Sequence, residues 1–156
     1  MTLHSTTRVP VDDSYAALVG KAVYVFAYYE WGIIWIIEFL QPGFVGRYCR
    51  ENPMTSGQVR GTFQAVINDP ATSFAKVTRQ ELEACLTELE RLIIKRNTLI
   101  HAHPCTDMDG SQILAYQTKT TKPLPDMMWP KPEVEAIVAE FDTAACSASV
   151  ILDKLR

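Results

Sequence analysis

No excess of positive charge marks this chain: 15 lysines and arginines stand against 18 aspartates and glutamates, for a net charge of −3. A global electrostatic grip on nucleic acid is thereby excluded, and any RNA or DNA contact has to come from a local patch. Cysteine pairing signals are missing as well. Cys49, Cys85, Cys105 and Cys146 form no Cys-x-x-Cys pair and are irregularly spaced. The N-terminal "MTLHSTTRVPVDD" has no apolar core of a secretory leader. Reduced thiols in a cytoplasmic protein are the expectation. There is no internal repeat and no low-complexity tract, and 156 residues suit one domain over residues 1–156.

Long hydrophobic runs are also scarce, with one exception. "AVYVFAYYEWGIIWIIEFL", from Ala22 to Leu40, is long enough to cross a bilayer. Glu30 falls in its middle, Glu38 near its end, and Gly32 interrupts it. A central carboxylate costs roughly 3 kcal/mol on insertion scales. The expectation is therefore a helix covered by its own core and a second subunit, with no membrane contact.

With 47% hydrophobic and 21% charged residues, the chain has an ordinary globular balance. Residues 1–11 read as a loose arm. Asp12, Asp13 and Ser14 are good N-caps for a first helix that runs to about Gln41, where "QPG" breaks it. Residues 42–54 read as a Pro- and Gly-rich loop carrying Arg47 and Arg50. A second helix starts at Thr55 or Ser56, with Val59, Phe63, Val66 and Ile67 on one face, and stops at "NDP". "TRQE", Thr78 to Glu81, is a capping box that opens a third helix. Its stripe is Leu82, Leu86, Leu89, Ile93 and Ile100. Residues 105–131 form an inserted hairpin or ordered loop, because Asp109-Gly110 is a tight-turn signal followed by residues of strand character. "KPLPDMMWPKP" reads as a Pro-rich connection to a last helix. That helix has Pro132 in its first turn and a stripe of Val134, Ile137, Phe141, Ala145, Ala148, Leu152 and Leu155. The fold class is all-α: a four- to five-helix bundle with a small β-hairpin or ordered loop inserted before the last helix.

Polar residues break the stripe of the third helix. In "RNTLIHAHP", residues 96–104, Arg96 and His103 keep the apolar register, and Pro104 ends the helix. A buried arginine needs a partner or water: either a salt bridge, with Glu30 on the first helix as the candidate, or a head that snorkels to solvent at the bundle end. Asn97 and His101 are four residues apart, so one stands above the other and Asn97 can hold the imidazole in one tautomer. His101 lies in the last turn, where the negative end of the helix dipole favours its protonated form. Arg91, Lys95 and Arg96 form a local positive cluster. A cation for phosphate and a titratable group for proton movement are what phosphodiester cleavage requires. Arg96 and His101 are about 140° apart around an ideal helix. Two copies of that helix about a two-fold axis would bring both into one cleft, which argues for a homodimer with the site at its interface.

"RNTLIH" resembles the R-x4-6-H motif of the HEPN superfamily, small α-helical domains of which many are ribonucleases. A polar residue, often asparagine, follows the arginine in that motif, as Asn97 does here. Apolar residues precede the histidine, as Leu99 and Ile100 do. One branch continues H-x-Y, where this chain has His103, so tyrosine-dependent regulation is not carried over. The resemblance implies metal-independent RNA cleavage with no cofactor. Arg96 would hold the scissile phosphate, His101 would assist proton transfer as the 2′-hydroxyl attacks, and Asn97 would orient or contact the backbone. Lys95, Arg91 and His103 are the candidate substrate contacts, and His103 also meets the looser histidine spacing. The resemblance further implies a toxin or defence effector held by a neutralising antitoxin or nucleotidyltransferase-like partner.

Other chemistries are weaker in the sequence. His101, His103 and Cys105 offer nitrogen and sulfur to zinc, but no second cluster completes a set of four ligands. Tyr28, Tyr29, Trp31 and Trp35 could stack bases, yet their apolar setting favours packing. Tyr116 is a weaker candidate for substrate contact. A non-catalytic module that binds nucleotides or a partner is the rival from another class.

Overall fold

The computed structural model describes residues 10–117 and 126–156. The order of elements is α1 (Asp13–Leu40), α2 (Phe44–Arg50), α3 (Ser56–Asn68), α4 (Arg79–Ile100), β1 (His103–Thr106), β2 (Gln112–Tyr116), β3 (Met127–Trp129) and α5 (Lys131–Leu155). The protein is mostly helical, with five helices and a small three-stranded antiparallel sheet before the last of them. Most of the loose arm, residues 1–9, lies outside the described residues, as does 118–125 of the inserted segment.

α1 and α5 form the centre and run parallel. Phe26 meets Phe141 edge to face at 5.0 Å, and Gly32 lies opposite Ala148. α1 is long and apolar enough to cross a bilayer by length and composition alone. Here it buries Tyr15, Ala22, Phe26, Tyr29, Ile33, Ile34, Ile36 and Ile37 in the bundle. α4 runs antiparallel to α5: Lys154 pairs with Glu81 at one end, and Lys95 with Glu140 at the other. α3 lies antiparallel along α4, with Arg60 on Glu90 near its start and Arg79 on the Ile67 carbonyl near its end. α3 has 13 residues and α4 has 22. Ser56, where α3 begins, lies four residues before Arg60, about 6 Å along the axis. The last turns of α4 therefore run on beyond α3.

The segment 42–54 is not all loop. α2 forms because Glu38, at the end of α1, accepts hydrogen bonds from Gly43 N at 3.0 Å and Val45 N at 2.7 Å. Those donors would otherwise be orphans of a helix start. The cap comes from the preceding helix rather than from the N-cap position, so no local signal announces it. Gly43 takes φ 95°, open to glycine at little cost, and Phe44 plugs into the core. α2 then folds back on α1, with Tyr48 6.3 Å from Trp31.

The insertion is a sheet rather than a lone hairpin, and it starts at His103, two residues before the expected boundary. β1 pairs with β2 from His103↔Ala115 to Thr106↔Gln112, closed by a turn in which Gly110 has φ 88°. The Pro-rich connection contributes β3, which pairs Leu114 with Trp129. Pro104 is tolerated because β1 is an edge strand. Tyr15 ties the sheet to α1: its hydroxyl donates to Trp129 O at 2.6 Å and accepts from Leu114 N at 3.0 Å. Trp129 is fully buried against the bundle end.

Candidate functional site

α4 owes its position to two anchors. Its start is the capping box, with Thr78 Oγ1 accepting from Glu81 N at 3.1 Å and Glu81 Oε2 accepting from Thr78 N at 2.8 Å. Its end is held by the sheet: Thr98 is buried with its hydroxyl 3.9 Å from Met127 Sδ, and Leu99 is buried beside it. Ile100 was expected on the buried stripe but is 38% exposed, because Leu99 and Thr98 take the buried positions as the helix meets the sheet.

Arg96 is half-buried. Its guanidinium lies over the Phe26 ring, 5.6 Å from the centroid, and its Nη1 donates to Asn97 Oδ1 at 3.0 Å. Of the two structural alternatives, the pair with Glu30 does not form. Among the described residues no ion pair involves Arg96, and Glu30 Oε1 is buried with no hydrogen-bond partner. His101 is the C-cap of α4, with its N–H donating to Asn97 O at 3.0 Å, and its side chain is exposed. His103 is exposed at the start of β1.

The positive cluster is largely neutralised. Arg91 bonds Glu88 at 2.7 Å and Glu140 at 2.6 Å, and Lys95 bonds Glu140 at 2.7 Å. The hydrogen bond from Arg91 holds Glu88 below the ordinary carboxylate range. Burial would raise Glu140, but the bonds from Lys95 and Arg91 outweigh it and the net direction is down. Glu88, and then Glu140, push Arg91 higher still. Arg91 and Lys95 thus face α5 and its carboxylates, whereas Arg96 has no ion-pair partner among the described residues.

Ile94, Asn97 and His101 follow at i, i+3 and i+7, so they share one stripe. Four residues upstream on that stripe, Glu90 is covered by Arg60 of α3. Past the start of α3 the stripe is open, and Ile94 is 44% exposed. The structure therefore brings Arg96 and Asn97 into contact and puts His101 on the same uncovered end of α4. It separates Arg91 and Lys95 from them. Phe26 and Ile94 are the residues that sequence reasoning passed over. Phe26 was hidden in a continuous apolar run, and Ile94 falls in the register of Glu83, Thr87 and Glu90, off the apolar stripe. Tyr116 is buried, which removes it as a surface contact. Among the described residues no group of three His, Cys, Asp or Glu side chains is arranged to hold a metal ion, His101, His103 and Cys105 included.

Two clefts, one between α1 and α5 and one between α4 and α5, are lined by other side chains. The site on α4 is an open surface carrying a fixed guanidinium, an amide and a solvent-reachable imidazole. Such a surface can bind a phosphate and move a proton. Comparison with protein-family models, curated proteins and solved structures returns no match to this chain.

Proposed function

We propose that this protein is a HEPN-like, metal-independent endoribonuclease whose site is completed when two copies meet at the ends of their α4 helices. The observation that supports the reading most directly is Arg96. A half-buried guanidinium with no carboxylate partner among the described residues is costly unless something else uses its charge. The phosphodiester of RNA is the anion that the neighbouring groups suit. Arg96 binds the non-bridging oxygens of the scissile phosphate. The 2′-oxygen forms a bond to phosphorus, the bond from phosphorus to the 5′-oxygen breaks, and a cyclic phosphate remains. His101 carries the proton in this exchange, and Asn97 keeps the guanidinium in place. Ile94 and Ile100, both exposed beside this site, supply apolar contact for a second copy.

Pure protein incubated with RNA in EDTA tests the proposal. Wild type is expected to leave 2′,3′-cyclic phosphate ends. Arg96→Ala and His101→Ala are each expected to lose cleavage while keeping the far-UV spectrum of the native fold. A single 2′-deoxy substitution at the cut nucleotide should block cleavage there. One observation favours a non-catalytic binding module instead: Arg96 is already held by Phe26 and Asn97, a pose that serves structure as well as chemistry. Under that reading wild type leaves every RNA intact in EDTA.

A further inference from the structure

The outward face of α1 carries a second surface, which the nuclease reading does not use. Tyr24 is 74% exposed, Tyr28 60% and Trp31 38%, and Trp35 and Phe39 are comparably open. An aromatic side chain covers about 150–250 Å², so these five leave roughly 500 Å² of ring surface in water. That is near the upper end of what a monomer ordinarily exposes in one patch. The patch is shaped as well as apolar. Beside it, Gly32 and the small residues Ala145 and Ser149 leave a cleft of about 320 Å³ between α1 and α5, edged by Trp31 and Trp35.

Spacing and charge identify the occupant. Lys21, Tyr24, Tyr28, Trp31, Trp35 and Glu38 follow one another at alternating steps of three and four. This is the heptad repeat of a helix that packs on another helix. The stripe also complements itself when reversed. Placed antiparallel against a copy of itself, it sets Tyr28 opposite Trp31 and Tyr24 opposite Trp35, and brings Lys21 to Glu38, whose carboxylate stays charged while it caps α2 through Gly43 N and Val45 N. Lys21 is exposed and takes part in none of the ion pairs among the described residues. A bilayer surface would meet a lysine and a glutamate at opposite ends of the stripe with no such complement.

We infer that α1 is an antiparallel self-association seam, built for a second copy of this chain through the Lys21 to Glu38 stripe. The roughly 500 Å² of aromatic surface covers most of the about 800 Å² per partner that a stable interface buries. Flanking side chains of α1 and α5 make up the rest. The seam is isologous, since each copy offers the same face. It is also distinct from the contact proposed at the end of α4. Trp35 lies nine residues from Phe26, over which Arg96 sits, and nine residues are about 180° of helix arc. The two contacts therefore use opposite sides of α1 and can coexist, and the inference does not rest on the nuclease reading.

Sedimentation velocity at micromolar concentration tests the seam. Wild type is expected to sediment above monomer mass. Tyr24→Glu with Tyr28→Glu, both on the exposed face, is expected to halve that mass with an unchanged far-UV spectrum. Ile100→Glu reports the α4 contact separately and should leave the seam intact. A monomeric wild type would overturn the inference, as would a mass indifferent to the tyrosine pair. Wild type that stays monomeric but floats with phosphatidylserine vesicles would also overturn it, by giving the stripe to a lipid surface.

Discussion

Arg96 is the residue on which the proposed chemistry turns, and its setting predicts how substitutions behave. A lysine in its place keeps a charge over Phe26 but loses the planar fork that reaches Asn97 and a phosphate together. Both Arg96→Ala and Arg96→Lys should therefore cut RNA cleavage by at least about a hundredfold, the scale for removing a donor that stabilises developing charge. Arg91→Ala should have a far smaller effect, because Glu88 and Glu140 already consume its charge. Initial rates at saturating RNA separate the two cases. The cysteines also differ among themselves. Burial, and then Glu88, push the Cys85 thiol up to about 12, whereas Cys49 and Cys146 are exposed. At pH 8 Cys85 is almost wholly thiol, the unreactive form. Mass spectrometry after brief alkylation of native protein should show Cys49 and Cys146 modified and Cys85 spared. That Asn97 and His101 share one stripe was legible from spacing, but the spacing pointed to Asn97 holding the imidazole, whereas its Oδ1 accepts from the neighbouring Arg96 Nη1. The cancellation of Arg91 and Lys95 was not legible, because Glu140 comes from a helix more than forty residues away.

At the scale of elements, helix ends carry most of the local specification. The Thr78–Glu81 box could be read directly, since both halves of the cap lie within one turn. α2 could not, since its cap is Glu38 of the preceding helix. Glu38→Ala should unravel α2 at a cost of about 1 kcal/mol, the typical value of a lost cap, measured by urea denaturation. Gly20 sits inside α1 with nothing within 4 Å of the position a Cβ would take. Gly20→Ala should raise stability by up to about 1 kcal/mol through helix propensity alone. The third strand escaped sequence reading because Met127–Trp129 has only three residues and follows a Pro-rich tract. What makes it a strand is the demand of β2 and of the Tyr15 hydroxyl for backbone partners. Acid should loosen the junction between α4 and α5. The bond from Lys154, then those from Thr78, hold the Glu81 carboxyl at about 2, below its ordinary 4.5. A depressed acid contributes stability above its unfolded value and loses it as pH falls through the folded one. The melting temperature should therefore decline between about pH 4.5 and pH 2, and Glu81→Gln should flatten that decline.

For the whole molecule, the main lesson is which surfaces the bundle leaves uncovered. Helical periodicity gave away the buried faces of α3, α4 and α5, because each stripe lies on one helix, whereas the parallel α1–α5 pair and the antiparallel α4 emerge only in the packed bundle. α3 ends its cover of α4 before Ile94 and His101, which are exposed, and this is a property of the packed bundle rather than of any segment. A net charge of −3 leaves no general attraction for RNA, so binding should depend on the α4 surface and fall sharply when Arg96 is removed. The site proposed there belongs to two copies, with arginine from one and histidine from the other. Mixing inactive variants tests that arrangement most directly. Arg96→Ala and His101→Ala, each silent alone in EDTA, should recover about a quarter of wild-type RNA cleavage when combined at equal concentration, since half the dimers form as mixed pairs with one intact site of two. A mixture as inactive as its components, with subunit exchange shown by light scattering of tagged copies, would contradict a shared site.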